Sequence, residues 1–486
     1  MTTPYQIGDD AWREATERLA SGGAKLVSLW GDGPDVRMAL SSPGAADLEL
    51  VGYPSVAGKF PSVGAEHPAA IRLERALVDL CGLTPVGARD KRPWLDHGRW
   101  PIRHPLGASE ANAAASGPYP FLAAEGSGLH QIPVGPVHAG IIEPGHFRFH
   151  CAGETIARLE ERLGYVHKGV DRLMAGADLA RGAQLAGRVS GDSTVAYQIA
   201  FARAVESAFG VAVPRRAVWL RALMAELERL ANHLGDIGAI CNDASFSLMH
   251  AHCGILRERV LRAAKGAFGH RLMMDAIAPG GVAADLSAAG RQALRDLAAL
   301  VRDRFPRLVE LYDNTASLQD RTVRTGALDG ELARRFGCGG VIGRASGIAF
   351  DARRDHAYPP YDELRFEVPV RQEGDVNARV WVRIREVEES LRLMTQIIDR
   401  LPGGPIRVDV APSGAPGESH VLVEGFRGDI FVNLRLGADG KIARCHLRDP
   451  SWFQWPLLEA AIEGNIVADF PICNKSFNCS YSGQDL

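Results

Sequence analysis

Helical spacing of apolar residues runs through most of the stretch from about 153 to 315, and RAVWLRALMAELERLANHLGDIGAI (216–240) shows it most clearly. Apolar side chains recur there at i, i+3, i+4 and i+7, with acidic and basic residues on the opposite face. This is the pattern of an amphipathic helix, which must lay its apolar stripe against other elements. A second such helix is predicted over ARVWVRIREVEESLRLMTQIIDRL (378–401), and a final one near WPLLEAAIEGN (455–465). The bulk of the chain therefore reads as a helical bundle.

The β signals are smaller. AKLVSLWGD, DVRMALSS and DLELVGYPS are short β-rich runs separated by Gly, Pro and Ser, placed between the helical patterns DDAWREATERLASGG and HPAAIRLERALVDLCGL. Residues 1–85 thus form a small α/β unit. Residues 86–130 are rich in Pro, Gly, Ala and Ser and are expected to be an extended linker wrapped on a surface or partner. The segment 129–169 suggests one or two hairpin strands leading into a helix. HVLVEGFRGDIFVNLRLGADGKIARCHLRD (420–449) reads as a β-hairpin with an Asp-Gly turn. A loop rich in Gly, Arg and Asp spans about 338–365. The fold class expected is α+β: a small N-terminal α/β domain, then a mainly α domain over 131–486 with small β additions.

Composition excludes several functions. The net charge is −3 and no basic block or stripe suggests nucleic acid. No run of about 18 apolar residues suggests a membrane span, and the polar, acidic start does not resemble a signal peptide. Eight cysteines are scattered without a CxxC. A disulfide framework is not expected in a chain of this kind, nor do the spacings 473/479 or 241/253 match a zinc or cluster pair. Small buried thiols are the expected role. GCGGVIG (337–343) leads into a loop of Arg and Ser, so it is read as a tight backbone passage and not as a dinucleotide cradle.

Motifs along nearly the whole chain carry a resemblance. FPSVGAEHPAAIRLERALVDLCGL resembles the 30 kDa-type subunit of respiratory complex I. IPVGPVHAGIIEPGHFRF, LGYVHKGVDRLM, AELERLANHLGDIGA, GRASGIAFDARRDHAYPPY, GDVNARVWVRIREVEESLRLM and VEGFRGDIFV resemble the large subunit of hydrogenase-3 and hydrogenase-4, the formate hydrogenlyase type. That family is homologous to the 49 kDa-type subunit of complex I. The resemblance implies a nickel–iron hydrogenase large-subunit-like domain. It implies an iron–sulfur small subunit as partner, which would carry the clusters, and membrane-arm subunits of the proton- or cation-transporter type. The expected location is cytoplasmic, on the inner face of the cell membrane through those partners.

The resemblance also locates the family's metal site. Its early R-x-C-G-x-C motif falls on RVSGDSTVAY, with Ser190 and Ser193 on the cysteine positions and Tyr197 on that of the following His. Its late D-P-C-x-x-C motif falls on SFNCSYSGQDL, with Ser480 and Gly483 on the thiolate positions. Soft thiolates suit nickel and low-spin iron, and hydroxyls do not. No nickel–iron cluster is expected. In complex I the same cavity holds a quinone, with a Tyr and a His as hydrogen-bond partners. The Tyr position is Gly191 here, Tyr197 is a possible substitute, and GPVHAG offers His138 for the His. Glu143, with His146 to orient it, is either a proton relay or a salt-bridged turn residue. Arg344, Asp351 and Arg353 are expected at the cavity wall, as cofactor contacts or as an ion-pair network. Two readings remain open: a redox subunit reducing a quinone or another acceptor, coupled to ion movement, and a non-catalytic scaffold or coupling subunit. A hydrogenase with unusual ligation is a third and remote one.

Overall fold

The computed structural model describes residues 5–45, 47–107, 111–112, 118–126, 128–138, 142–411 and 414–486. The N-terminal unit is a meander of strands Lys25–Asp32, Asp35–Ser41 and Glu49–Pro54, extended by a two-residue parallel strand, Gln6–Ile7. Helices Asp9–Ala20 and Ile71–Cys81 accompany it. The second helix stops where Gly82 turns left-handed with φ +72°, a conformation that suits glycine.

Both faces of this sheet are buried. Leu26, Val36, Met38 and Leu40 share one apolar core with Trp12, Leu73, Phe147 and Trp455. Val27, Trp30, Ala39 and Leu50 pack instead on Leu422 and Phe431 of the C-terminal sheet. Polar contacts reinforce that second junction. Trp30 stacks on His446 at 5.0 Å, Ser28 Oγ lies 2.8 Å from His446 Nε2, and Arg448 Nε donates to the Val27 carbonyl at 2.7 Å. The N-terminal unit therefore completes the core of the larger part.

The linker expectation is corrected at Trp94 and Leu95, each 1 % exposed. Asp79 Oδ2 accepts from the backbone N–H of Trp94 and Leu95 at 2.7 and 2.8 Å, and the guanidinium groups of Arg72 and Arg75 lie over the indole. Burying the indole between cations anchors a segment that composition alone marks as coil.

A second correction concerns TIARLEER. It is a strand, Thr155–Arg162, paired with His146–Ala152, which pairs in turn with Leu129–Val134. The segment falls in the stretch from about 153 where helical spacing is expected. In the fold Glu160 meets Arg92 and Glu161 meets Arg72, so tertiary partners override local propensity. The C-terminal β region is a three-stranded meander, Gly417–Glu424, Asp429–Leu436 and Ile442–Arg448, one strand more than a hairpin.

Helices Arg215–Asp243, Ser247–Phe268, Ala288–Asn314 and Val376–Arg400 make the bundle. Leu220, Leu223, Leu227, Leu230 and Leu234 of the first are fully buried, as the spacing predicts. Its charged face is buried too: Arg221, Glu226, Glu228, Arg229 and His233 all lie inside. This helix runs through the middle of the molecule, with its charges answered by neighbouring elements.

Candidate functional site

The turn Gly191–Ser193 precedes the buried helix Thr194–Phe209, and the chain ends in a short helix, Tyr481–Asp485. The fold brings these two segments together. Ser190 Oγ lies 2.8 Å from Ser480 Oγ, and Ser480 Oγ accepts from Gly483 N at 2.9 Å as the cap of the last helix. Ser193 is tied into the same cluster by Arg427, whose Nη1 is 3.2 Å from Ser193 Oγ. The four residues on which the resemblance sets the family's ligand motifs thus converge.

Arg427 holds the centre. It forms a two-pronged pair with Asp192 at 2.7 and 2.6 Å, and its Nε donates to the Asn478 carbonyl at 2.5 Å. Burial pushes the Asp192 carboxyl up, but the Arg427 charge and the Ser190 hydroxyl outweigh it, so the group ends below its ordinary range. Asp449 closes the other side. Its Oδ2 accepts from the Tyr197 hydroxyl at 2.6 Å and its Oδ1 from Ser451 N at 2.9 Å.

These residues do not fit a nickel–iron centre. Two ligand positions spend their hydroxyls on each other. At the fourth, a β-carbon on Gly483 would lie 2.4 Å from Asp449 Oδ2, an atom already fixed by Tyr197. A guanidinium, not a set of thiolates, is the dominant charge. Among the described residues no group of three or more His, Cys, Asp or Glu side chains is arranged to hold a metal ion.

Beside the cluster is a cleft of about 250 Å³ between the turn after Leu129–Val134 and the tail. His138, Ile142, Lys475, Asn478, Cys479 and Tyr481 line it. The structure brings His138 to this cleft. Glu143 is exposed nearby, its Oε2 accepting from Ser482 N at 3.0 Å. His146 Nδ1 bonds with the Gly135 carbonyl at 2.9 Å and so braces the turn from beneath.

The expected wall residues do not face the cleft: Tyr197 lies within the cluster, bonded to Asp449, while Arg344, Asp351 and Arg353 form the ion-pair network that is the other expectation for them. Tyr197 is fully buried, and burial together with Asp449 pushes its phenol well up. Arg344 and Asp351 are fully buried in an ion network. Arg344 bonds Glu386 at 2.7 Å and Glu424 at 2.9 Å, Arg353 pairs with Asp351 at 2.6 Å and Glu226 at 3.0 Å, and His233 lies 2.7 Å from Glu386. Their charges face one another instead of the cleft, which is what a low-dielectric interior demands of them. The residues missed in the sequence are Arg427, Asp449, Glu228 and Tyr481. Arg427 sits in the recognised VEGFRGDIFV run. Glu228 Oε2 and Oε1 accept from Val195 N and Ala196 N at 2.7 and 3.1 Å, a helix-start contact no spacing announces.

The eight cysteines are buried free thiols. No helix among the described residues is long and apolar enough to cross a membrane.

The family model described as respiratory-chain NADH dehydrogenase, 49 Kd subunit, matches residues 244–415. Formate hydrogenlyase subunit 5 of Escherichia coli (strain K12) is 34% identical over 444 residues, which cover 88% of this chain and 77% of that protein. Hydrogenase-4 component G of the same organism is 32% identical, covering 88% of this chain and 76% of its own. A solved chain from the membrane-bound sulfane sulfur reductase (MBS), an archaeal respiratory membrane complex, superposes with a TM-score of 0.70 at 26% identity, over 74% of this chain and 98% of that one. With its motifs in order and its two degenerate ligand segments meeting in space, the chain belongs to the family of hydrogenase-3 and hydrogenase-4 large subunits, homologous to the 49 kDa-type subunit of respiratory complex I.

Proposed function

We propose that the chain is the large subunit of a membrane-associated oxidoreductase complex in which a cleft beside the former metal site serves an electron acceptor with a quinone-type head group. The observation that carries this reading is the cleft between the His138 turn and the Asn478–Tyr481 tail, beside a cluster built from serine, arginine and aspartate instead of thiolates. A quinone needs two electrons and two protons to become a quinol. The electrons come from an iron–sulfur cluster on a small partner subunit. His138 donates a hydrogen bond to one carbonyl of the head group, and Tyr481 faces the other wall. Glu143, exposed beside the cleft-lining Ile142, passes protons from water. The apolar surfaces of Ile142 and Cys479 hold the ring. Membrane-arm subunits convert the reduction into ion movement, and the chain sits peripherally on the membrane through them.

The test uses the purified native complex. Elemental analysis should find no stoichiometric nickel, and the complex should reduce a soluble short-chain quinone. His138→Ala should assemble normally and lose about tenfold or more in turnover. One nickel per chain would overturn the reading. A complex with no acceptor reduction at all would replace it with the scaffold, and an unchanged His138→Ala rate would remove His138 from the site.

A further inference from the structure

A larger cavity lies where the N-terminal unit meets the Gly330–Asp355 region. It is open to solvent on one side and has a volume of about 1030 Å³, at the upper end of small-ligand sites. Its wall is apolar at Leu19, Ala24, Ile348 and Phe350. Its charge is lopsided: Lys25, Arg334, Arg335 and Arg354 line it against the carboxylates of Glu331 and Asp355. Lys25 is engaged with Asp429, and Arg354 with Asp355. Arg334 and Arg335 are exposed, and among the described residues neither forms an ion pair.

Deeper in the same wall is His67, only 3 % exposed. Neither ring nitrogen has a hydrogen-bond partner in good geometry among the described residues. Its polar surroundings are the Leu19 carbonyl and the Arg335 guanidinium, and burial first, then Arg335, pushes it down to about 4. At neutral pH the imidazole is uncharged and offers one N–H donor and one bare acceptor. A buried polar side chain without a partner is costly unless something else satisfies it.

We propose that this cavity binds a mononucleotide, with its phosphate on Arg334 and Arg335, its base against Ile348 and Phe350, and a polar edge of the base or sugar on His67. Two adjacent unpaired guanidinium forks match phosphate geometry. An apolar wall beside them favours a ring over a bare anion, and the neutral imidazole adds a donor and an acceptor of the kind a base edge presents. The phosphate is held by side chains, unlike in a glycine-loop cradle. The neighbouring glycines have other duties: a β-carbon on Gly340 would fall 1.8 Å from the Arg427 carbonyl, and one on Gly343 2.3 Å from the Cys338 carbonyl.

The experiment is isothermal titration of the full chain in its purified complex, using AMP, GMP, CMP and UMP, with adenosine and inorganic phosphate as part-ligands. At least one nucleotide should bind about tenfold more tightly than either part-ligand. Arg334→Gln/Arg335→Gln should weaken it about tenfold or more. His67→Leu should weaken the nucleotide and leave inorganic phosphate unchanged, a split that general unfolding would not produce. A thermal melt of each variant confirms that it is folded. The proposal is overturned if none of the four nucleotides binds at millimolar concentration, if binding survives the arginine changes, or if inorganic phosphate alone binds as tightly.

Discussion

Ser190 and Ser480 stand 290 residues apart in the chain and 2.8 Å apart in space, hydroxyl to hydroxyl. That single contact closes the family's metal site from both ends. Around it the hydrogen bonds are complete: Asp192 accepts from Ser190, Gly483 donates to Ser480, and Arg427 spans Asp192, Ser193 and Asn478. The cluster is a tightly bonded polar group with Asp192 at its partly exposed edge.

Restoring cysteine at the four positions should not restore a metal site. A β-carbon on Gly483 meets Asp449 Oδ2 at 2.4 Å and Asp449 Cγ at 2.6 Å, and Asp449 is held by Tyr197 and Ser451. Gly483→Ala alone should cost about 1–3 kcal/mol. Chemical denaturation of the purified protein checks this, and a wild-type midpoint would show that Asp449 yields easily.

Glu228 gives a pH signature. Burial raises its carboxyl to about 8, against the pull of the Val195 and Ala196 amides. The folded state then holds a proton that the unfolded chain releases above the ordinary glutamate range. Folded Glu228 binds more protons than unfolded Glu228 between about 4.5 and 8, so its contribution to stability falls as pH rises through that window. Glu228→Gln removes the effect. The stability difference should move in the variant's favour from pH 5 to 8, by at most about 1.4 kcal/mol per unit. Denaturation midpoints across that range measure it, and a pH-independent difference would contradict it.

Asp429 couples the N-terminal unit to the rest. It pairs with Lys25 at 3.2 Å and with Arg448 at 2.6 Å. Burial pushes the Asp429 carboxyl up, yet the two cations hold it well below its ordinary range. Asp429→Asn leaves the fully buried Arg448 without its counter-charge, at about 3–5 kcal/mol. The expected outcome is a protein that loses cooperative unfolding and becomes protease-sensitive within residues 5–85. An intact, wild-type-like digest would argue against the coupling.

Glu143→Gln should leave folding alone. The carboxylate is exposed, and the Gln oxygen can still accept from Ser482 N, so stability should stay within about 0.5 kcal/mol. Native gels should show normal assembly, while acceptor reduction falls about tenfold as the proton source is lost. Normal assembly with unchanged turnover would reject the relay.

Periodicity and turn residues were enough to identify the Arg215–Asp243 and Val376–Arg400 helices, the meander over Lys25–Pro54 and the strands flanking Asp439–Gly440. Those patterns reflect the backbone's local demands, so one stretch of chain carries them. The ordered motifs identified the family, because they recur in the same order in its relatives. Tertiary structure alone decided the rest. Thr155–Arg162 became a strand because Arg92 and Arg72 meet its glutamates across the fold. Trp94 became core because Asp79 holds its backbone and two arginines cover its ring. Tyr197, Arg344 and Asp351 turned inward because Asp449, Glu386 and Arg353 wait for them there. A charge in a low-dielectric interior is governed by its partners, and those partners come from distant parts of the chain that no local pattern brings together.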